Sequence, residues 1–208
     1  MHEINEYRQN LQPLIISEAE KLFRQRGIKS VTMEQISKTL HISKRTIYEL
    51  YTNKEEILIE VLQMSHKRKK AHLDDFAKHC DNVMDILIEV LRLQTESSAC
   101  THSSFFHDIA KYPKAEKMLA SFQDEQQEAS SDFFERGVKE GYFLSNIDFR
   151  TFLRIMYAMH LVLRNEDKLN TITFQELLNN YILVLMRGIC TQKGLVKLDQ
   201  FLEQQITR

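Results

Sequence analysis

The stretch TMEQISKTLHISKRTIYELYTNKEE, residues 32–56, decides the fold. It holds three places where a helix can start, each with its own capping chemistry. Thr32 can cap a helix with Gln35 at the reciprocal position, while Val31 and Ile36 stand at the spacing of a hydrophobic staple. Ser43 can cap the next, flanked by Ile42 and Ile47 at the same spacing. Asn53 can cap a third, with Glu56 completing a capping box ahead of Ile57, Leu58, Val61 and Leu62. The first two helices, near Met33–Leu40 and Lys44–Tyr51, are too short to stand alone. They hold only if Ile36, Leu40, Ile47, Leu50 and Tyr51 pack on neighbouring helices. With only His41 and Ile42 between them the chain must turn sharply, which is a helix-turn-helix arrangement.

Upstream, Leu14, Ile15, Ala19, Leu22 and Phe23 recur at helical spacing. Pro13 suits the first turn of that helix, where a missing N–H is harmless, and Gly27 stops it where a left-handed residue is needed. Downstream, the fourth helix continues past Met64 and the basic Lys67-Arg68-Lys69-Lys70 to Leu73 and Phe76. Further helices are expected near 82–97, 102–111, 114–140, 148–164, 173–191 and 195–206, with Asp148 and Thr173 as caps. Five glycines and two prolines in 208 residues are too few punctuators for a turn-rich β or α/β fold. The expected class is all-α: a helix-turn-helix domain over 1–54, a bridging helix 55–79, and a larger helical domain completing 55–208.

Composition narrows the function. With 43% hydrophobic and 27% charged residues, the chain is neither disordered nor membrane-embedded. No apolar run approaches the roughly 20 residues of a bilayer span, and the longest, around Tyr181–Met186, reads as an interior helix face. Cys80, Cys100 and Cys190 are odd in number and widely spaced, as expected of free thiols in a reducing, cytoplasmic setting. No phosphate-cradling glycine loop or nucleophile elbow is present, so an enzyme is not expected. His102, His107 and His160 lack the i,i+4 pairing with a carboxylate that a zinc site shows, so neither metal nor cofactor is expected. Net charge is −1, but residues 1–79 carry 14 Lys+Arg against 11 Asp+Glu, and residues 80–208 carry 14 against 18. The sign of that asymmetry suits an N-terminal part that meets phosphate.

A helix-turn-helix reads DNA by placing its second helix in the major groove. Within Ser43–Tyr51 the residues not needed for packing are Ser43, Lys44, Arg45, Thr46, Tyr48 and Glu49. Lys44 and Arg45 can donate to guanine or phosphate. Thr46 and Tyr48 suit phosphate, and the Tyr48 ring can also lie on sugar or a thymine methyl. Lys54 and Thr32, each at a helix start, are expected at further phosphates.

Ala19, Leu22-Phe23, Gly27, Thr32, Ile36, Ser43, Thr46-Ile47-Tyr48, Tyr51, Lys54-Glu55 and Leu58 together resemble the N-terminal signature of the TetR family of transcriptional regulators. The resemblance covers Ile15–Leu58, with a faint echo in Arg136-Gly137 and Glu140-Gly141. Three positions depart from it. His41 stands where the family usually has glycine, and histidine tolerates positive φ better than most residues. Arg45 replaces a glycine or small residue beside the base-reading positions, which alters operator preference. Leu50 replaces a frequent histidine and removes one phosphate contact.

The resemblance implies a transcriptional repressor that leaves a palindromic operator when a small, largely apolar effector binds the C-terminal domain. It also implies a homodimer formed by the last two large helices. Phe152, Ile155, Met156, Met159 and Val162-Leu163 line one stripe; Leu177-Leu178, Tyr181, Ile182, Leu185 and Ile189 line another. Phe152, Ile155, Met159, Leu178, Tyr181 and Leu185 are the candidate dimer contacts, unless the stripes form an intramolecular core. Phe105, Phe106, Tyr112, Met118, Phe122, Phe133, Phe134, Tyr157 and His160 either wall an effector cavity or pack as core. The rival reading is a TetR-like architectural or protein-binding module with no effector.

Overall fold

A computed structural model describes the backbone of residues 2–165 and 172–206, and the side chains of 10–122, 130–159, 162 and 172–203. Among these residues the elements are α1 (His2–Arg26), α2 (Met33–Thr39), α3 (Lys44–Leu50), α4 (Lys54–Lys78), α5 (Val83–Ala99), α6 (Ser104–Ile109), α7 (Pro113–Lys139), α8 (Phe149–Asn165), α9 (Phe174–Leu177), a π-helical turn (Leu178–Ile182), α10 (Leu183–Ile189) and α11 (Gln192–Ile206). The fold is all-α; an isolated bridge joins Phe143 to Cys190.

The chain divides into two compact units. The first takes the chain up to Lys69 together with Cys100–Ser121, and the second takes Lys70–Ala99 and the chain from Phe122 onward. This differs from a division at 54/55. Ile57, Leu58, Val61 and Leu62 of α4 are buried in the same core as α1–α3, and Phe105 and Ile109 of α6 join them.

In the first unit, Ile15, Ala19, Phe23, Ile28, Val31, Ile36, Ile47, Ile57 and Leu58 form a fully enclosed apolar cluster. Gly27 ends α1 at φ +77°. A Cβ there would overlap the Ser104 hydroxyl, so both the backbone and the space call for glycine. The turn between α2 and α3 has His41 at φ +55°, the left-handed conformation expected of it. His41 N donates to Lys38 O at 3.2 Å and Ile42 N to Ser37 O at 3.0 Å, closing α2 behind the turn. Thr32 and Gln35 form the reciprocal box, and Ser43 Oγ accepts from Thr46 N at 3.0 Å.

Two local expectations are corrected. Asn53 Oδ1 accepts from Glu56 N at 3.2 Å, but the Glu56 carboxylate turns to Thr52 N at 2.7 Å, one residue earlier than a capping box requires. Pro13 lies inside α1 and not in its first turn. Residues 3–12 contain no glycine or proline to stop a helix, so α1 extends upstream and gives up one N–H in its ladder at Pro13.

The second unit is built round an aromatic cluster. Phe134 stacks on Phe149 with centroids 4.6 Å apart, and meets Phe143 at 5.1 Å and Phe133 edge-on at 5.4 Å. A Cβ on Gly137 would overlap the Phe143 ring, which explains a glycine in the interior of α7. The segment after α7 is stitched to the end of α10 by Leu144 N to Ile189 O and Thr191 N to Tyr142 O, both 2.9 Å. The π turn interrupts what the sequence reads as one helix over 173–191.

Candidate nucleic-acid interface

α3 holds its place through one face and presents the other. Ile47 is fully buried, and Tyr51 just beyond the helix is buried with its hydroxyl donating to Glu60 at 2.7 Å. Burial and the Glu60 carboxylate push the Tyr51 phenol well above its ordinary range, so it stays protonated as that donor. On the opposite edge Arg45 is 88% exposed at its side chain and Tyr48 is 53% exposed as a residue. Lys44 and Ser43 are exposed too, and Thr46 is half-buried. A buried Ile47 between a solvent-facing Lys44-Arg45 pair and Tyr48 gives one rigid polar edge suited to a groove.

Both cations on that edge have carboxylate partners from the protein itself. Lys44 pairs with Glu34 of α2, and Arg45 Nε donates to Glu49 at 2.9 Å, one turn along α3. The i,i+4 spacing of Arg45 and Glu49 was legible in sequence. The Lys44–Glu34 pair crosses the turn and was not. The hydroxyls of Ser43 and Thr46 lie 2.8 Å apart and belong to the cap. Thr32 likewise uses its N–H and its hydroxyl in the capping box.

Lys54 departs from the expectation. Its half-buried ammonium donates to Val31 O at 2.6 Å and Ile28 O at 2.7 Å, with Lys29 O at 3.4 Å, and lies 5.8 Å from the centre of the Tyr112 ring. Burial lowers its pKa, against the pull of the nearby Asp108 carboxylate. It therefore acts as a clamp on the α1–α2 loop instead of reaching out to a phosphate. Asp108, buried on α6, grips the same loop: it accepts from Lys29 N at 2.9 Å and from Lys111 Nζ at 3.0 Å. Burial alone would raise its pKa, but these hydrogen bonds outweigh it and hold the carboxyl below its ordinary value. Nothing in the helical pattern marked Asp108.

The effector candidates fall into different clusters. Phe105, Tyr112 and Met118 pack in or against the core of the first unit, and Phe106 is exposed. Phe133 and Phe134 belong to the aromatic core of the second unit. Phe122 and Tyr157 are half-buried there, and the side chain of His160 lies outside the described residues. Core packing therefore accounts for Phe105, Tyr112, Met118, Phe133 and Phe134. The second unit also holds a buried carboxylate that the sequence did not flag: Glu89 accepts from Arg92 Nη2 and contacts His72 Nε2, both at 2.6 Å. The Arg92 hydrogen bond is the main reason its pKa lies below the ordinary value, despite burial.

Of the dimer candidates, Ile155 and Met159 are exposed on α8, 61% and 39%, and Val162 continues the same stripe. Tyr181 and Leu185 are half-buried, and Phe152 packs against the core. Leu178 is buried within its own unit, in the cluster that also holds Leu183 and Met186, as the intramolecular alternative has it. Val184, 57% exposed, is the apolar residue that faces out of α10, so the 181–186 run is not wholly interior.

Among the described residues no group of three His, Cys, Asp or Glu side chains converges as a metal site, and no helix is long and apolar enough to cross a membrane. Residues 15–61 match the family model for bacterial regulatory proteins of the tetR family. A curated relative, an uncharacterized HTH-type transcriptional regulator YhgD of Bacillus subtilis, is 37% identical over 62 residues. That match spans 30% of this chain and 32% of the relative. Among solved structures, a putative transcriptional regulator from Saccharomonospora viridis in complex with choline aligns over 88% of this chain and 100% of its own, with TM-score 0.67 and 16% identity. The ketosteroid transcriptional regulator KstR2 of Mycobacterium tuberculosis aligns over 87% and 95%, with TM-score 0.54 and 18% identity. At such identities the likeness is one of fold.

Proposed function

From the match of residues 15–61 to the tetR family model, we propose that this chain is a sequence-specific, DNA-binding transcriptional regulator of that family that works as a homodimer, with no enzymatic step. The observation that carries the reading is the anchored α3 with its exposed Lys44, Arg45 and Tyr48 edge. Lys44 meets phosphate, Arg45 reads a base edge, and Tyr48 lays its ring on sugar or a thymine methyl. Ser43 and Thr46, beside them, add hydroxyl contacts. One short helix buries little area, so specific binding calls for two half-sites. The stripe Ile155, Met159 and Val162 on α8, with Val184 on α10, supplies an apolar face through which two copies associate. Two α3 helices about one DNA turn apart, roughly 34–36 Å, then fit a palindromic operator.

A small molecule taken up by the second unit releases the DNA, as befits a repressor. That one structural neighbour was solved in complex with choline supports a ligand-binding role. α4 runs unbroken from Lys54 to Lys78 and contributes residues to both units, which makes it the natural carrier of the signal. Coupling of roughly 1–3 kcal/mol is typical, and by linkage DNA weakens effector binding equally.

Fluorescence anisotropy on the duplex upstream of the chain's own gene, titrated with salt, tests the reading. Tight binding to that duplex over scrambled DNA, with a linear fall of log affinity against log salt, supports it. No binding to any duplex at low salt overturns it.

A further inference from the structure

We infer that Glu49 is a specificity-determining residue that selects cytosine at a position about two base pairs from the base read by Arg45. The inference rests on the DNA-binding reading above and adds a determinant to it. Lys44 and Arg45 carry Glu34 and Glu49 as partners, so the four exposed side chains sum to zero charge. An edge that served only to hold phosphate would gain nothing from two carboxylates, since each is repelled by the backbone it approaches. Glu34 stands back on α2, but Glu49 shares α3 with Arg45 and comes directly after Tyr48, the exposed aromatic of the reading edge.

A carboxylate that enters the major groove needs a donor there. The groove offers two kinds, the exocyclic amino groups of cytosine and adenine. Adenine sets its N7 acceptor beside the amino group, which opposes a second acceptor, whereas cytosine presents N4–H₂ alone. Glu49 is therefore matched to cytosine. The Arg45 guanidinium has donors to spare, so its Nε–H can keep hold of Glu49 while the remaining N–H groups meet guanine O6 and N7. Four residues along a helix at 1.5 Å each is about 6 Å, or about two base-pair steps of 3.4 Å. The pair thus reads a guanine and a cytosine as one unit, and the Arg45–Glu49 hydrogen bond holds the carboxylate in place before DNA arrives.

The experiment is selection of sites from a randomised duplex library with the full-length protein and with Glu49→Gln, Glu49→Ala and Arg45→Ala, each first checked for unchanged helicity and melting. The wild type should enrich cytosine roughly tenfold at one position of each half-site. Glu49→Gln should shift that single position to adenine, because a carboxamide both donates and accepts. Glu49→Ala should equalise the four bases there, and Arg45→Ala should erase a guanine preference about two positions away. Glu49 variants that keep the wild-type base profile overturn the inference while leaving DNA recognition standing. A wild type that enriches no sequence overturns the DNA-binding reading itself, and this inference with it.

Discussion

The Lys54 ammonium donates to the Val31 carbonyl at 2.6 Å, which ties the start of α4 to the loop that positions the helix-turn-helix. The Ile28 carbonyl, 2.7 Å away, shares the same ammonium. Lys54→Met keeps the alkyl stem and removes these charge-assisted bonds. It should cost about 1.5–3 kcal/mol in chemical denaturation. The salt slope of DNA binding should stay as in wild type, whereas a slope smaller by about one would mean that Lys54 meets phosphate after all.

Lys44 offers the contrast. It is exposed, and its partner Glu34 is exposed as well. Such pairs contribute about 0–1 kcal/mol, so Lys44→Ala should leave the melting temperature almost unchanged. Affinity for all sequences should fall alike and the salt slope by about one, as anisotropy at several salt concentrations will read.

Asp108 makes stability depend on acid. Its carboxyl titrates lower in the folded protein than in the unfolded chain, so its contribution is complete above about pH 4 and fades as pH falls through the lower folded value. Asp108→Asn should destabilise the protein by about 1.5–3 kcal/mol near neutrality. Urea midpoints of the two proteins should converge below about pH 4. A gap that persists at pH 2 would show that shape, and not charge, is what matters at this position.

Gly27 and His41 share the left-handed conformation but not its consequences. Gly27→Ala introduces both a strained φ and a clash with Ser104, so it should lower stability by at least about 1–2 kcal/mol. His41→Gly relieves strain of about that size and loses roughly 0.5–1 kcal/mol in chain entropy, so it should be neutral or mildly stabilising. His41→Val should be destabilising. Thermal melts of the three variants rank them.

The outward stripe on α8 makes its own prediction. Ile155→Glu should raise the dimer dissociation constant tenfold or more, since burial of such a side chain is worth about 1.5–3 kcal/mol. Because Ile155 is 61% exposed, helicity should not change. Sedimentation equilibrium distinguishes this from a wild type that is monomeric throughout.

The helices were legible because their signals are local. Thr32 caps α2 and Ser43 caps α3, Gly27 and His41 turn the chain where their backbones allow it, and apolar residues recur every three or four positions. The contacts that escaped join residues distant in sequence. Nothing near Lys54 announces the carbonyls of Ile28 and Val31, which the fold brings back to it from 26 and 23 residues away. Phe105 and Phe134 carried the same helical spacing whether they packed or lined a cavity, because cores and pockets draw on the same residue types. Leu178 shares a helical stripe with Tyr181 and Leu185, and spacing alone does not say which member of a stripe packs inside its own unit and which faces out.

The π turn over 178–182 also sets where the helix can give up length. A π turn accommodates one residue more than the surrounding helix requires, and each residue swings the side chains beyond it by about 100°. Deleting one of the five would restore an ordinary helix and keep the faces beyond it, with Val184 at the surface and Met186 and Ile189 buried, whereas a deletion in the helix on either side would turn them away. Along this stretch the chain has a residue to spare at the turn and none beside it.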